Sequence, residues 1–91
     1  MRLIWSPDSL ADLIRLPDFL EPVDPSAADA VVVSLNVAAN RLLEYPRLGE
    51  RMPRFRRREV RRILVGSYEL RYEVQPTAII VTRLYNTRER R

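Results

Sequence analysis

"EVRRILVGSYELRYEV", residues 59–74, decides how this chain folds. Its first seven residues carry Val60, Ile63 and Val65, the β-branched content of a strand. Gly66-Ser67 is a two-residue loop with glycine first, the signal of a type II′ hairpin. In "YELRYEV", residues 68–74, Tyr68, Leu70, Tyr72 and Val74 alternate with Glu69, Arg71 and Glu73. One face of that strand is therefore apolar and the other charged. "QPT", residues 75–77, turns the chain again, and "AIIVTRLYN", residues 78–86, follows as the third strand of a meander. Its apolar residues serve both faces, which predicts a central strand covered by helices on one side.

Upstream the pattern is helical. "RLIW", residues 2–5, reads as a short strand, with Trp5 in the core. Ser6 is an N-cap and Pro7 a first helical residue whose missing N–H costs nothing there. Asp8 suits the positive end of the helix dipole. Leu10, Leu13 and Ile14 share a face by their i, i+3, i+4 spacing and are expected to be the buried one. Pro17 ends or kinks this helix, and "DFLEP" forms a last turn. Asp24 and Pro25 repeat the start signal. Ala28, Val31, Val32, Leu35, Ala38, Ala39, Leu42 and Leu43 then form an apolar stripe that stops at Pro46. A short link rich in proline and aspartate makes the two helices an antiparallel hairpin. Residues 47–55, "RLGERMPRF", lack periodicity and read as a loop. The chain is thus one α+β domain over residues 1–91. Its order is β-α-α-β-β-β: a short N-terminal strand and a helical hairpin packed on a C-terminal antiparallel sheet.

Composition narrows the chemistry. Ninety-one residues suffice for one domain with a modest core. Cysteine is absent, which fits a reducing cytoplasm and excludes disulfides and thiolate metal sites. The N-terminus lacks the apolar segment of a signal peptide, and "AVVV", residues 30–33, is too short to span a membrane. Histidine is absent, which excludes a Ser-His-Asp triad, a Cys-His pair and a histidine zinc site. The two glycines cannot make a phosphate-cradling loop. No metal or cofactor is expected. Residues 1–45 hold three arginines and seven acids, whereas residues 46–91 hold thirteen arginines and five acids. All basic residues are arginine, whose forked donors match carboxylate and phosphate, so an anionic partner is expected.

The order of elements, together with "EYPRLGERM", "EVRRILVGSYELRYEV" and "IIVTRLYNTRE", resembles the RelE/ParE superfamily of bacterial type II toxins, often described as plasmid stabilisation proteins. Pro46 to Gly49 match a Pro-x-x-Gly segment after the second helix. Val60-Arg61-Arg62-Ile63 match a strand of the form V-R-x-apolar, and Tyr68, Leu70, Tyr72 and Val74 match the next strand. Tyr85, Asn86 and Arg88 stand where relatives end the last strand. The resemblance implies a toxin held inactive by a cognate antitoxin. ParE-like members poison DNA gyrase; RelE-like members cut messenger RNA on the ribosome without a metal. Glu69 stands where RelE-like nucleases carry an arginine, Asn86 where many relatives have histidine, and no tyrosine follows the last strand through Arg91. The reading leans to a ParE-like gyrase poison, with the mRNA endonuclease as alternative. A non-toxic basic nucleic-acid-binding domain is a third reading.

On this resemblance Arg61, Arg62, Arg83, Asn86 and Arg88 are candidates for a target-facing or nuclease-like site, with no catalytic residue assigned. Arg54, Arg56, Arg57, Arg58 and Arg71 are candidates for antitoxin contact. Each has a plainer reading beside it. The run from Arg54 to Arg58 is equally a solvated loop. Arg71 and Arg83 read first as cross-strand partners of Glu69 or Glu73, ahead of any functional role. Arg61 and Arg62 fall on opposite faces of one strand. Tyr68 and Tyr72 are read as core.

Overall fold

The computed structural model describes residues 1–16 and 25–88. Elements among them are β1 (Arg2–Trp5), α1 (Pro7–Arg15), α2 (Pro25–Arg41), β2 (Glu50–Arg51), β3 (Glu59–Val65), β4 (Tyr68–Gln75) and β5 (Ala78–Asn86). The link between the helices, with its expected last turn and Asp24 cap, lies outside the described residues. The strands form one sheet in the order β1-β5-β4-β3-β2. β3, β4 and β5 are the expected antiparallel meander. β1 joins it parallel to β5, pairing Leu3 with Ile79 and Trp5 with Val81, so the sheet is mixed and β5 is indeed interior. None of the helices among the described residues is long and apolar enough to cross a membrane.

The hairpin turn has Gly66 at φ 60° and no other residue at positive φ, the combination a II′ turn uses. From it, β4 sends Tyr68, Leu70 and Tyr72 into the core, all nearly inaccessible to water. Ile79, Val81 and Leu84 of β5 and Leu35, Ala39 and Leu42 of the second helical segment close that core. The stripe expected on α2 is the buried one: Ala28, Leu35, Ala39 and Leu42 are buried, and Val31, Val32, Ala38 and Leu43 half-buried. Past Arg41 the helix tightens, with i→i−3 bonds at Leu42, Leu43 and Glu44, before Pro46.

Three features depart from the sequence reading. Residues 47–55 are not all loop, because Glu50 and Arg51 pair with Arg62 and Arg61 as β2. Two polar residues carry no periodicity to reveal such a strand. Gly49 explains its position: its N–H donates to the Tyr72 hydroxyl at 2.8 Å and its carbonyl accepts from Arg61 Nη1 at 2.7 Å. Secondly, α1 does not bury Leu10 and Ile14, which are 46% and 74% exposed. Its inward face is Ser9, Asp12, Leu13 and Leu16. Polar groups are stable there because each is bonded: Ser9 Oγ donates to the Ser6 carbonyl, and Asp12 accepts from β5. Thirdly, β5 carries a bulge. Tyr72 pairs with Val81 but Arg71 pairs with Arg83, so Thr82 is the extra residue. Its hydroxyl donates to the Arg71 carbonyl.

Candidate functional site

The bulge determines what the outer face of the sheet displays. Strict alternation along β5 would carry Arg83 and Tyr85 inward with Ile79 and Val81. With Thr82 inserted, Leu84 turns inward instead, and Arg83 and Tyr85 turn out. The register then sets Arg62, Arg71 and Arg83 side by side across β3, β4 and β5. Like charges directly opposite one another destabilise a sheet, so this row requires counter-charges.

The chain supplies them. Glu69, 1% exposed, accepts from Arg71 Nε at 2.8 Å and from Arg62 Nη1 at 3.4 Å. Glu50 lies 3.5 Å from Arg62 Nη2. The Asp12 carboxylate takes Arg83 in bidentate fashion, at 2.7 and 3.2 Å. Arg71 and Arg83 both lie over the Tyr85 ring, 4.7 and 5.1 Å from its centre. Where β1 ends, Ser6 Oγ donates to the Thr82 carbonyl and the Leu84 N–H donates to Asp12. The N-cap and the second turn of α1 thus take over the edge of β5 that β1 leaves open.

The loop after β2 folds toward this face. Phe55 sits between Arg54 and Arg58, whose guanidinium carbons are 4.9 and 5.7 Å from its ring centre. Arg58 also reaches Glu73 at 2.6 Å. Two clefts flank the loop and share Arg71. One, of about 280 Å3, has Arg54 and Arg62 on its wall; the other, of about 240 Å3, has Phe55, Arg58 and Arg83. The structure therefore regroups the candidates. Arg54, Arg58, Arg62, Arg71 and Arg83 gather on one outer face, although the sequence divides them between two roles. Arg61 is elsewhere: on the helix-side face it bonds Gly49 O and Glu59, and its side chain is 16% exposed. Arg56 and Arg57 occupy an exposed turn. Asn86 accepts from the Arg88 N–H at the end of β5, beside the hairpin turn where Thr87 N–H reaches Ser67 O.

Asp12, Phe55 and Tyr85 are the site residues that sequence reasoning missed. Asp12 left a faint signal, as an acid spaced i+3 from Ser9 and i−4 from Leu16 on the buried face of α1. The plainer reading of Arg71 and Arg83 is half met: both are ion-paired, but Arg71 to its own strand's Glu69 and Arg83 to Asp12. Burial pushes the Asp12 carboxyl up, yet the bonds from Arg83 and the Leu84 N–H, with Arg15 nearby, outweigh it and hold it below its ordinary 3.8. Asp12 in turn raises Arg83 above the usual arginine value. Arg61 and Arg47 hold Glu59 below the ordinary glutamate value.

Known proteins place this arrangement. The sequence matches the family described as "ParE toxin of type II toxin-antitoxin system, parDE" over residues 3–91. A curated protein from Caulobacter vibrioides, "Toxin RelE2", is 31% identical over 83 residues, 91% of each chain. A solved chain described as "Chromosomal ParDE TA system from P. aeruginosa" has the same fold, with a TM-score of 0.78 at 20% identity over 94% of this chain and 95% of that one. The mixed sheet, the two helices and the family match agree, and the chain belongs to the ParE toxins of type II toxin–antitoxin systems, within the RelE/ParE superfamily.

Proposed function

We propose that this toxin, neutralised by a cognate antitoxin, arrests growth by poisoning DNA gyrase, with the outer face of its sheet toward the target. The observation that carries this reading is Glu69 inside the arginine row. Cutting RNA through its own 2′-hydroxyl needs donors free to stabilise charge on the phosphate, and a base. Arg62 and Arg71 are bonded to Glu69, and Arg83 to Asp12, so the central donors are engaged by the chain's own carboxylates. Arginine is no base at neutral pH. Glu59, a carboxylate with lowered pKa, lies on the opposite face with Arg61. A surface of this kind suits recognition of a folded, acidic protein surface better than phosphoryl chemistry. Either target places the toxin in the cytoplasm.

The mRNA-endonuclease reading keeps one argument of its own, the name RelE2 carried by the Caulobacter relative. Two reactions separate the readings. The purified chain is added to a gyrase supercoiling reaction and, in parallel, to ribosomes translating a defined message. Cleaved gyrase–DNA complexes with an intact message are expected. A message cut at codons, with gyrase unaffected, would overturn the proposal.

A further inference from the structure

Val60, on the Arg62 side of β3, is 2% exposed, and with Phe55 it forms the apolar wall of the 240 Å3 cleft. Arg58, Arg71 and Arg83 line the same cleft. Each is held by its inner nitrogen. Arg58 Nε donates to Glu73 at 2.6 Å, Arg71 Nε to Glu69 at 2.8 Å and Arg83 Nε to Asp12 at 2.7 Å. Arg83 adds one terminal bond, from Nη2 to Asp12. The terminal nitrogens of Arg58 and Arg71, and Nη1 of Arg83, donate to no acceptor among the described residues. Stacking on Phe55 and Tyr85 restrains the same guanidinium groups. A loop and two strands thus supply fork ends that are already held in place, so little side-chain entropy remains to be lost when a ligand binds.

We propose that this cleft receives an acidic side chain, aspartate or glutamate, from the surface of the target protein. The inference rests on the reading of the outer face as target-facing and names the group which that face holds. Shape decides between anions. A carboxylate ends its side chain, so it enters a small cleft end-on and forms the planar fork-to-fork bonds that guanidinium favours. A phosphodiester carries a sugar on either side and needs an open groove. This cleft is bounded by α1, the Phe55 loop and three strands. Arginines already half-neutralised by Glu73, Glu69 and Asp12 also suit the fixed charge of a carboxylate better than charge building up on a reacting phosphate. Asp8, in the first turn of α1, is the acid on the wall, and it makes no ion pair among the described residues. Its charge opposes that of the ligand and lowers the affinity that the three arginines would give alone. Removing that charge should therefore strengthen binding, which an arginine cluster serving only the fold would not show.

The test titrates a capped pentaglutamate peptide into the full chain and, in parallel, an oligothymidine of equal charge. Both are followed by NMR of the arginine side chains at about 0.15 M salt. The peptide should shift the Arg58, Arg71 and Arg83 signals together and bind more tightly than the oligonucleotide. Arg58→Gln changes an exposed residue whose partner Glu73 keeps a bond from Gln75, and it should weaken peptide binding at least fivefold. Asp8→Asn should tighten it at least twofold. The circular dichroism of both variants should match the wild type. In a gyrase reaction the variants should move cleavage complexes in opposite directions, fewer for Arg58→Gln and more for Asp8→Asn. Peptide shifts confined to Arg56 and Arg57, or equal affinity for all three proteins, would overturn the cleft and leave the gyrase reading to its own test. Tighter binding of the oligonucleotide at the same arginines would overturn it in favour of a phosphate partner. Opposite effects on peptide binding with none on gyrase would keep the cleft as a carboxylate site and remove gyrase as the protein that fills it.

Discussion

At Gly49 one missing side chain holds together a loop, a strand and the core. A β-carbon there would lie 2.6 Å from the Arg62 carbonyl and 2.8 Å from the Tyr72 hydroxyl. The first obstacle is backbone and cannot swing away. Gly49→Ala should therefore destabilise the fold by about 1–3 kcal/mol, the usual range for overpacking, read as a lower denaturant midpoint. Tyr72→Phe tests the same contact from the other side. It strands the buried Gly49 N–H and should cost about 1–3 kcal/mol, although only an oxygen is lost. Asp12 is the second residue on which much depends, since it satisfies a guanidinium and the Leu84 backbone at once. Asp12→Ala leaves both without a partner and should cost roughly 2–4 kcal/mol. Because its folded pKa lies below the ordinary 3.8, its contribution is complete above that pH. It is lost as pH falls through the folded value. Wild-type thermal stability should thus drop in this acid range with a slope that the Asp12→Ala variant lacks. Equal slopes in the two proteins would show that other carboxylates dominate acid unfolding.

The β3–β4–β5 meander shows how elements turn separated arginines into a surface. Three arginines stand in one register row, and Glu69 beneath them keeps the row folded and its donors occupied. Glu69→Gln should weaken the fold and free Arg62 and Arg71 for other anions. DNA or RNA affinity measured against salt should then rise at low ionic strength. Its log–log slope should steepen by up to about 2, near 0.9 for each released contact. An unchanged slope would mean that the arginines stay unavailable for reasons other than Glu69. The strands themselves were legible in the sequence, since a glycine-first turn between two alternating segments is a local signal that tertiary context does not override. So was the buried stripe of α2, repeated over many residues. The arginine row was not, because it depends on a bulge at Thr82. Nothing in "IIVTRLYN" says which residue is left unpaired: the tyrosine–valine and arginine–arginine pairs that define the bulge are relations across strands. The buried face of α1 was hidden for a related reason. Periodicity counts apolar residues, whereas Ser9 and Asp12 are buried because β5 and the cap give them partners.

Across the molecule, the acidic first half and the basic second half meet where Asp12 holds Arg83. Six of the arginines line two surfaces. The outer face of the sheet holds Arg54, Arg58, Arg71 and Arg83 around Phe55 and Tyr85. A groove of about 590 Å3 between α2 and β3 has Arg41 at its rim. Arg62 borders both, lying on the wall of the α2 groove and of the cleft beside Arg54. If the outer face meets the target and the groove does not, substitutions should sort by position. Arg54 makes no ion pair among the described residues and stacks only on Phe55, so Arg54→Glu should leave the fold intact. It should lower gyrase cleavage complexes severalfold. Arg41→Glu should leave them at the wild-type level. Arg62→Ala should fall between the two, because its side chain lies where the two surfaces join. Counting cleavage complexes at equal toxin concentration checks this directly. If Arg41→Glu lowers them as far as Arg54→Glu does, the target covers both surfaces. The outer face is then only part of the contact, and the row of arginines across β3, β4 and β5 does not by itself mark where the target sits.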